Sequence, residues 1–316
     1  MKSILYHIVL LVAFTAFSRA QLGGTAGAFA RLGFGARGIG MGNAMTAVST
    51  GDIASYYNPA LSAFSEAHAA AATAGILSFD RYLNFLSYTQ AIHPTAGISV
   101  GLINAGVRKI DGRDADGYHT EDYSTTENQF YFSFSNRVAE GVSLGATIKL
   151  YYTKLFDQIS STTVGFDVGA AVKITDELTA GATLQDLNSK YKWDTKPIYY
   201  DEKGKSYDDK FPTLRRIGLS WSVIGGTGLL ALDFENSSAG SNILHMGGEY
   251  AIVPSFTVRA GIDRWELGEN PTGVKGTFGF SLRTSFDSWT PAINYAFVAE
   301  PYSPQGMHII TLSTTF

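Results

Sequence analysis

Val142-Ser143-Leu144-Gly145-Ala146-Thr147-Ile148-Lys149-Leu150-Tyr151-Tyr152-Thr153 decides the fold. Val142, Leu144, Ala146, Ile148, Leu150 and Tyr152 alternate with Ser143, Gly145, Thr147, Lys149, Tyr151 and Thr153. Successive side chains of a strand point to opposite faces, so this segment has one apolar face and one small, polar or charged face. The pattern returns at Val164, Phe166, Val168, Ala170 and Val172 against Gly165, Asp167, Gly169, Ala171 and Lys173, and again over 256–263 and 278–283. In a soluble sandwich the apolar face would meet a core; in a membrane barrel it would meet lipid. Alternation alone does not separate the two.

The connections separate them. Fourteen strands are expected, at about 66–78, 82–92, 95–105, 128–138, 141–154, 160–174, 177–187, 213–224, 227–236, 242–253, 255–265, 274–286, 289–298 and 306–316. Every second connection is short, as at His93-Pro94, Ala139-Glu140, Asp176, Gly225-Gly226, Pro254 and Asp287-Ser288. The alternate ones, notably 106–127, 188–212, 266–273 and 299–305, are longer and polar. Short periplasmic turns, long external loops and an even strand number describe an outer-membrane barrel. The expected fold is all-β: a 14-stranded antiparallel transmembrane β-barrel. His308 to Phe316 adds a strand ending on an aromatic, with Ile310, Leu312 and Phe316 on one face. Phe316 resembles the terminal signal read by the barrel assembly machinery.

Composition agrees. The 316 residues include 34 Gly, 20 Phe and 17 Tyr, only 16% are charged, and the formal net charge is −4. Aromatic girdles and small lumen residues account for that bias. The mild acidity and the lack of a basic patch give no reason to expect nucleic acid. Without cysteine there is no disulfide, thiolate metal site, cysteine nucleophile or lipid-anchoring thiol. Residues 1–20 read as a signal peptide: Lys2, an apolar core from Ile8 to Phe17, and Ser18-Arg19-Ala20 before Gln21. The run is short for a spanning helix, which needs about 20 apolar residues. Export to the outer membrane, with its lipid as surroundings, follows.

Residues 21–65 precede the expected barrel (66–316) and read differently. Gly38-Ile39-Gly40-Met41-Gly42-Asn43-Ala44 is small, apolar and helix-compatible. Asn43 and Asp52 are good N-cap residues, and Asn58 can cap a further turn with Pro59 at its first position. Two or three short helical pieces result. A barrel of this size is wider than its own side chains fill, so this segment is expected to plug it. The inward face should carry Lys149, Asp167, Lys173, Arg216, Asp233, Glu249, Arg259, Asp263 and Arg283, paired with one another or with water, with glycines at 145, 165, 169, 181, 218, 247, 261 and 279 leaving room.

Exported strands behind a glycine-rich segment and an Asn58-Pro59-Ala60 turn resemble the FadL-like barrels, transporters of long-chain fatty acids and other hydrophobic molecules. Ala36 to Ala44, Asp52 six residues before Asn58, Gly247-Gly248-Glu249-Tyr250 and Arg259-Ala260-Gly261 resemble, more narrowly, the PorV/PorQ family of the type IX secretion system. That likeness implies a non-enzymatic barrel without a cofactor. Its partners would be the C-terminal signal domains of secreted cargo and the type IX attachment components. The loops 106–127 and 188–212, the second with Tyr191, Trp193, Ile198, Tyr199, Tyr200 and Tyr207, would make the external contacts; the alternative for the second is to fold back on the rim or lie at the lipid headgroups. The FadL likeness implies a hydrophobic-molecule transporter instead, which needs an apolar pocket. Charged and glycine-rich lumen faces argue against one, unless Phe29, Phe34, Met41 and Met45 of the plug form it.

Other motifs carry less. Gly33-Phe34-Gly35-Ala36-Arg37-Gly38 fits G-x-G-x-x-G but lies in no βαβ unit. Asp111, Asp114 and Asp116 with Gly117 could hold calcium in the 106–127 loop, though a solvated acidic loop accounts for them better. No resident metal is expected, and no Ser, His or acid spacing selects a catalytic set.

Overall fold

The computed structural model describes residues 24–51, 55–267, 274–301, 303 and 305–316. The segment 1–20 and Asp52 therefore lie outside the described residues. Sixteen strands run in chain order: β1 (Ala69–Ile76), β2 (Arg81–Ile92), β3 (Ala96–Arg113), β4 (His119–Ala139), β5 (Val142–Phe156), β6 (Ile159–Lys173), β7 (Leu178–Leu187), β8 (Lys190–Asp194), β9 (Ser206–Lys210), β10 (Leu214–Val223), β11 (Gly228–Ser237), β12 (Asn242–Val253), β13 (Phe256–Glu266), β14 (Lys275–Arg283), β15 (Thr290–Val298) and β16 (Met307–Thr315). Fourteen close an antiparallel barrel in which β7 pairs with β10 and β1 with β16; β8 and β9 form a separate hairpin. That hairpin lies inside the expected 188–212 loop. The expected 106–127 loop is mostly strand: β3 and β4 continue past the barrel as a long hairpin turning at 114–118.

The burial pattern is inside out. Leu144, Ile148, Leu150 and Tyr152 on β5 are exposed on the outer wall, whereas Ser143, Thr147, Lys149 and Tyr151 are buried. Val164, Phe166, Val168 and Val172 on β6 repeat this around buried Asp167. Such a wall is stable only against lipid, because water would meet a continuous apolar belt. Exposed Trp221, Tyr250 and Trp289 mark the short-turn end of the belt, and Tyr152, Phe156 and Trp265 the loop end. The expected apolar and polar faces thus point to lipid and lumen respectively.

The lumen is filled by residues 24–51 and 55–64. Helix α1 (Gly35–Gly40) packs against β1 and β13–β16, and a 3-10 turn over Pro59–Phe64 packs against β2–β6. A second 3-10 turn covers Ala28–Arg31. Asn58 caps the Pro59 turn as its sequence suggests, its side chain accepting from the Ala60 N–H at 3.0 Å. Asn43 does not start a helix. It sits in the left-handed region (φ 60°) beyond the end of α1, and residues 41–51 form turns. Gly38 and Gly40 lie inside the helix, and at Gly38 the packing leaves no room for a side chain: a Cβ there would stand 2.2 Å from the Tyr57 hydroxyl.

The inward glycines do not leave open space: at 145, 169, 181, 247 and 261 the plug takes it, and at 165 and 218 the side chains of Ser189 and Asp233 do. A Cβ on Gly145 would strike Pro59, one on Gly181 the Thr46 carbonyl, and one on Gly247 the Met41 carbonyl at 2.1 Å. Gly42 (φ 61°) must be glycine twice over, since a Cβ there would lie 2.6 Å from the carbonyls of Ile262 and Met246.

Candidate functional site

Polar side chains of the wall hold the plug. Arg37 of α1 makes a bidentate pair with Glu249 (Nη2 to Oε1 2.6 Å, Nε to Oε2 3.1 Å), and Arg259 donates to the same carboxylate at 2.8 Å. Asp233 accepts from the Thr46 N–H at 2.9 Å. Asn58 Nδ2 donates to the Thr46 carbonyl at 2.8 Å and to the Ala170 carbonyl at 3.0 Å, bridging plug and wall. Asn43 Oδ1 accepts from the Tyr57 hydroxyl at 2.7 Å. Ser143 donates to the Ala60 carbonyl at 2.8 Å. Backbone groups of an irregular segment are costly to bury unpaired, and these side chains satisfy them.

Two clusters of buried charge flank the plug, each at a β-bulge. On β5–β7, Lys149 Nζ lies 2.7 Å from Asp167 and 2.9 Å from Asp186. Tyr151 donates to Asp186 at 2.8 Å, and the Asp186 N–H donates to Asp167 at 2.9 Å. On β10–β13, Arg216 pairs with Glu235, and His245 Nδ1 lies 3.0 Å from Asp263 and 3.2 Å from the Gly42 carbonyl. Opposite charges on the inward face do pair, as expected, but with partners the sequence reading omitted: Asp186, Glu235, His245 and the plug's Arg37. Alternation would point Asp186 outward; the bulge between Phe166 and Val168 turns it inward beside Gln185. Glu235 and His245 share the inward parity of Asp233 and Glu249, so a stricter count along β11 and β12 finds them. Lys173 and Arg283 are exposed at the short-turn rim, with Lys173 Nζ 4.8 Å from the Phe64 ring centroid and Arg283 donating to Thr257 at 3.2 Å.

Above the plug, at the loop end, lies a cavity of about 330 Å³. Phe29, Arg31 and Leu32 form its floor, and β2, β3 and β10–β14 its walls. The β12–β13 bulge opens onto it: Leu244 pairs with Trp265 and Met246 with Ile262, leaving His245 opposite Asp263 and Arg264. Directly outside this bulge the lipid face is hollowed into an apolar groove of about 650 Å³ between Trp221, Leu230, Met246, Gly248, Ala260 and Ile262. A second exterior hollow, about 970 Å³, follows the alanine strand β1 and is backed by a small inner pocket of about 50 Å³. Ala70, Ala71, Ser87 and Ser313 line both, so the wall there is one residue thick. Its ladders to β2 and β16 are complete.

The plug aromatics do not form one pocket. Phe34, stacked on Tyr56 and tilted against Phe85, lines the small inner pocket with Met45, whereas Met41 is fully buried and Phe29 lines the outer cavity. In the outer loop, Tyr191 and Trp193 are buried, Tyr191 against the Phe211 ring at 4.8 Å and donating to Glu127 at 2.7 Å. Burial, reinforced by Glu127, pushes the Tyr191 phenol well above its usual range and keeps it a donor. These two fold back on the rim; Tyr199, Tyr200 and Tyr207 remain exposed. Asp114 is a turn former, accepting from the N–H groups of Asp116 and Tyr118 at 3.0 and 2.9 Å. Asp111 meets His119 and Asp122 instead, exposed and already paired with Arg113 and, through Asp122, with Lys109.

No family model and no curated protein matches the chain. Solved structures do. The Pseudomonas putida toluene transporter TodX aligns at TM-score 0.60 and 14% identity, covering 90% of this chain and 96% of that one. The Ralstonia pickettii toluene transporter TbuX gives 0.61, 12%, 90% and 98%. A Pseudomonas aeruginosa FadL homologue gives 0.58, 14%, 89% and 98%. At such identities the likeness shows the fold alone, a closed β-barrel over nearly the whole length of these chains. Among these neighbours none is a type IX component, so the narrower PorV/PorQ likeness finds no support.

Proposed function

We propose that the protein passes small hydrophobic molecules through the outer membrane, entering at the loop-end cavity and leaving sideways into the bilayer at the β12–β13 bulge. The carrying observation is the alignment there of inner cavity, broken ladder and outer apolar groove. The bulge leaves His245, Asp263 and Arg264 out of the regular pairing, so parting the wall at this point breaks fewer hydrogen bonds than in an unbroken ladder. Met246 and Ile262 stand on the outside of the same break. The neighbours named as toluene transporters add support from the fold. Docking of secreted proteins has less to rest on, since burial removes Tyr191 and Trp193, two of the five loop aromatics that suggested it.

The test is uptake of toluene into lipid vesicles containing the purified full chain. Wild type should exceed protein-free vesicles, and Gly248→Trp with Ala260→Phe, which fill the groove from the lipid side without touching the lumen, should reduce the rate severalfold. Uptake no faster than in protein-free vesicles sinks the channel; unchanged uptake in the filled-groove variant sinks the exit route.

A further inference from the structure

The loop-end cavity is more highly charged than passage of a neutral hydrocarbon requires. Its lining carries five fixed cations, Arg31, Arg81, Arg216, Arg264 and Lys275, and four carboxylates, Glu127, Glu235, Asp263 and Glu300. Arg216 is spent on Glu235, while Arg81 and Lys275 share Glu300 at 3.2 and 3.7 Å. Arg264 has no ion-pair partner among the described residues. The plug's Arg31 uses Nη2 on Thr25 (2.8 Å) and on the Ala26 carbonyl (3.0 Å), and keeps Nη1 buried without any hydrogen-bond partner. His245, only 4% exposed, likewise has an unpartnered Nε2, 3.8 Å from the carboxylate that Arg216 already holds. A buried cationic donor left unpaired is costly, and a ligand that pairs it recovers that cost on binding. Beside these groups Phe29, Leu32, Leu77 and Met307 offer an apolar surface.

We infer that the cavity selects an amphipathic monoanion: one carboxylate, held by Arg31 with Arg264, on an apolar body about the size of a single substituted aromatic ring. The size follows from the volume, about 330 Å³, which is at the small end of ligand pockets. The sign follows from the unspent cations. The inference rests on the proposed channel function and narrows its substrate.

The decisive comparison uses the full chain in lipid nanodiscs, titrated calorimetrically with 4-propylbenzoate and with its uncharged isostere 4-propylbenzamide. The acid should bind about tenfold more tightly or better, as expected for a hydrogen bond to a charged group. Arg31→Gln, and separately Arg264→Gln at the cavity wall, should each reduce that preference. Equal affinities, or a tighter amide, overturn the inference, and the wild-type comparison stands even if a variant fails to fold. A protein that transports toluene but does not prefer the acid remains a channel with a different substrate. One that binds neither ligand and moves no toluene loses both readings.

Discussion

The two charge clusters beside the plug are built alike and end differently. Each sits at a bulge, and each gathers two carboxylates around one or two cations in a wall that otherwise alternates. The β5–β7 cluster is roofed by the outer loop: Ser189 and Phe211 cover Tyr151, and Lys149, Asp167 and Asp186 are all buried. Among the described residues nothing roofs the β10–β13 cluster in this way, and it faces the loop-end cavity with His245 Nε2 lacking a hydrogen-bond partner. Closed, such a cluster fastens strands together. Open, the same chemistry becomes a binding surface. Lys149, Arg216 and His245 are about equally buried, so the covering loop and not donor burial makes the difference.

The comparison can be broken at its strongest point first. Lys149→Met leaves two carboxylates buried without a counter-charge and should cost about 3–5 kcal/mol, read as a fall in the urea midpoint of the vesicle-inserted barrel. A loss near zero would mean that the closed cluster fastens nothing. One residue away on the opposite face, Ile148→Arg places a charge in the lipid belt and should cost about 2–4 kcal/mol; equal stability would show that this face is not lipid-exposed. The open cluster should be the most forgiving. His245→Asn should cost only about 1 kcal/mol, the worth of a hydrogen bond, while changing ligand affinity. A loss as large as that of Lys149→Met would make both clusters structural.

Most of the architecture was legible from residues because one signal, alternation, repeats along every wall strand and is anchored by short turns. Reading stopped where a local irregularity changed parity. Asp186 was invisible because the bulge beside it reverses its face, and Asn43 reads as a helix start although left-handed backbone makes it the turn after one. The β3–β4 hairpin was taken for a loop because its charged residues lack a buried face, yet cross-strand pairing continues through them. The glycines were read as space when they record contact: the wall could not hold Cβ atoms where the plug backbone crosses. The candidate site was hardest to see. Arg31, Arg264 and His245 come from three distant segments, and no spacing in the chain announces their meeting.

The filled lumen has an electrical consequence. The outer cavity and the inner pocket share no lining residue; Phe34, Arg37 and Tyr57 line the inner pocket, and buried Tyr56 packs on Phe34 and Tyr57. Among the described residues the two spaces are therefore separate, and ions are expected to find no path. A planar bilayer bearing many copies should show no steady current, and a cell could display this barrel densely without short-circuiting its envelope.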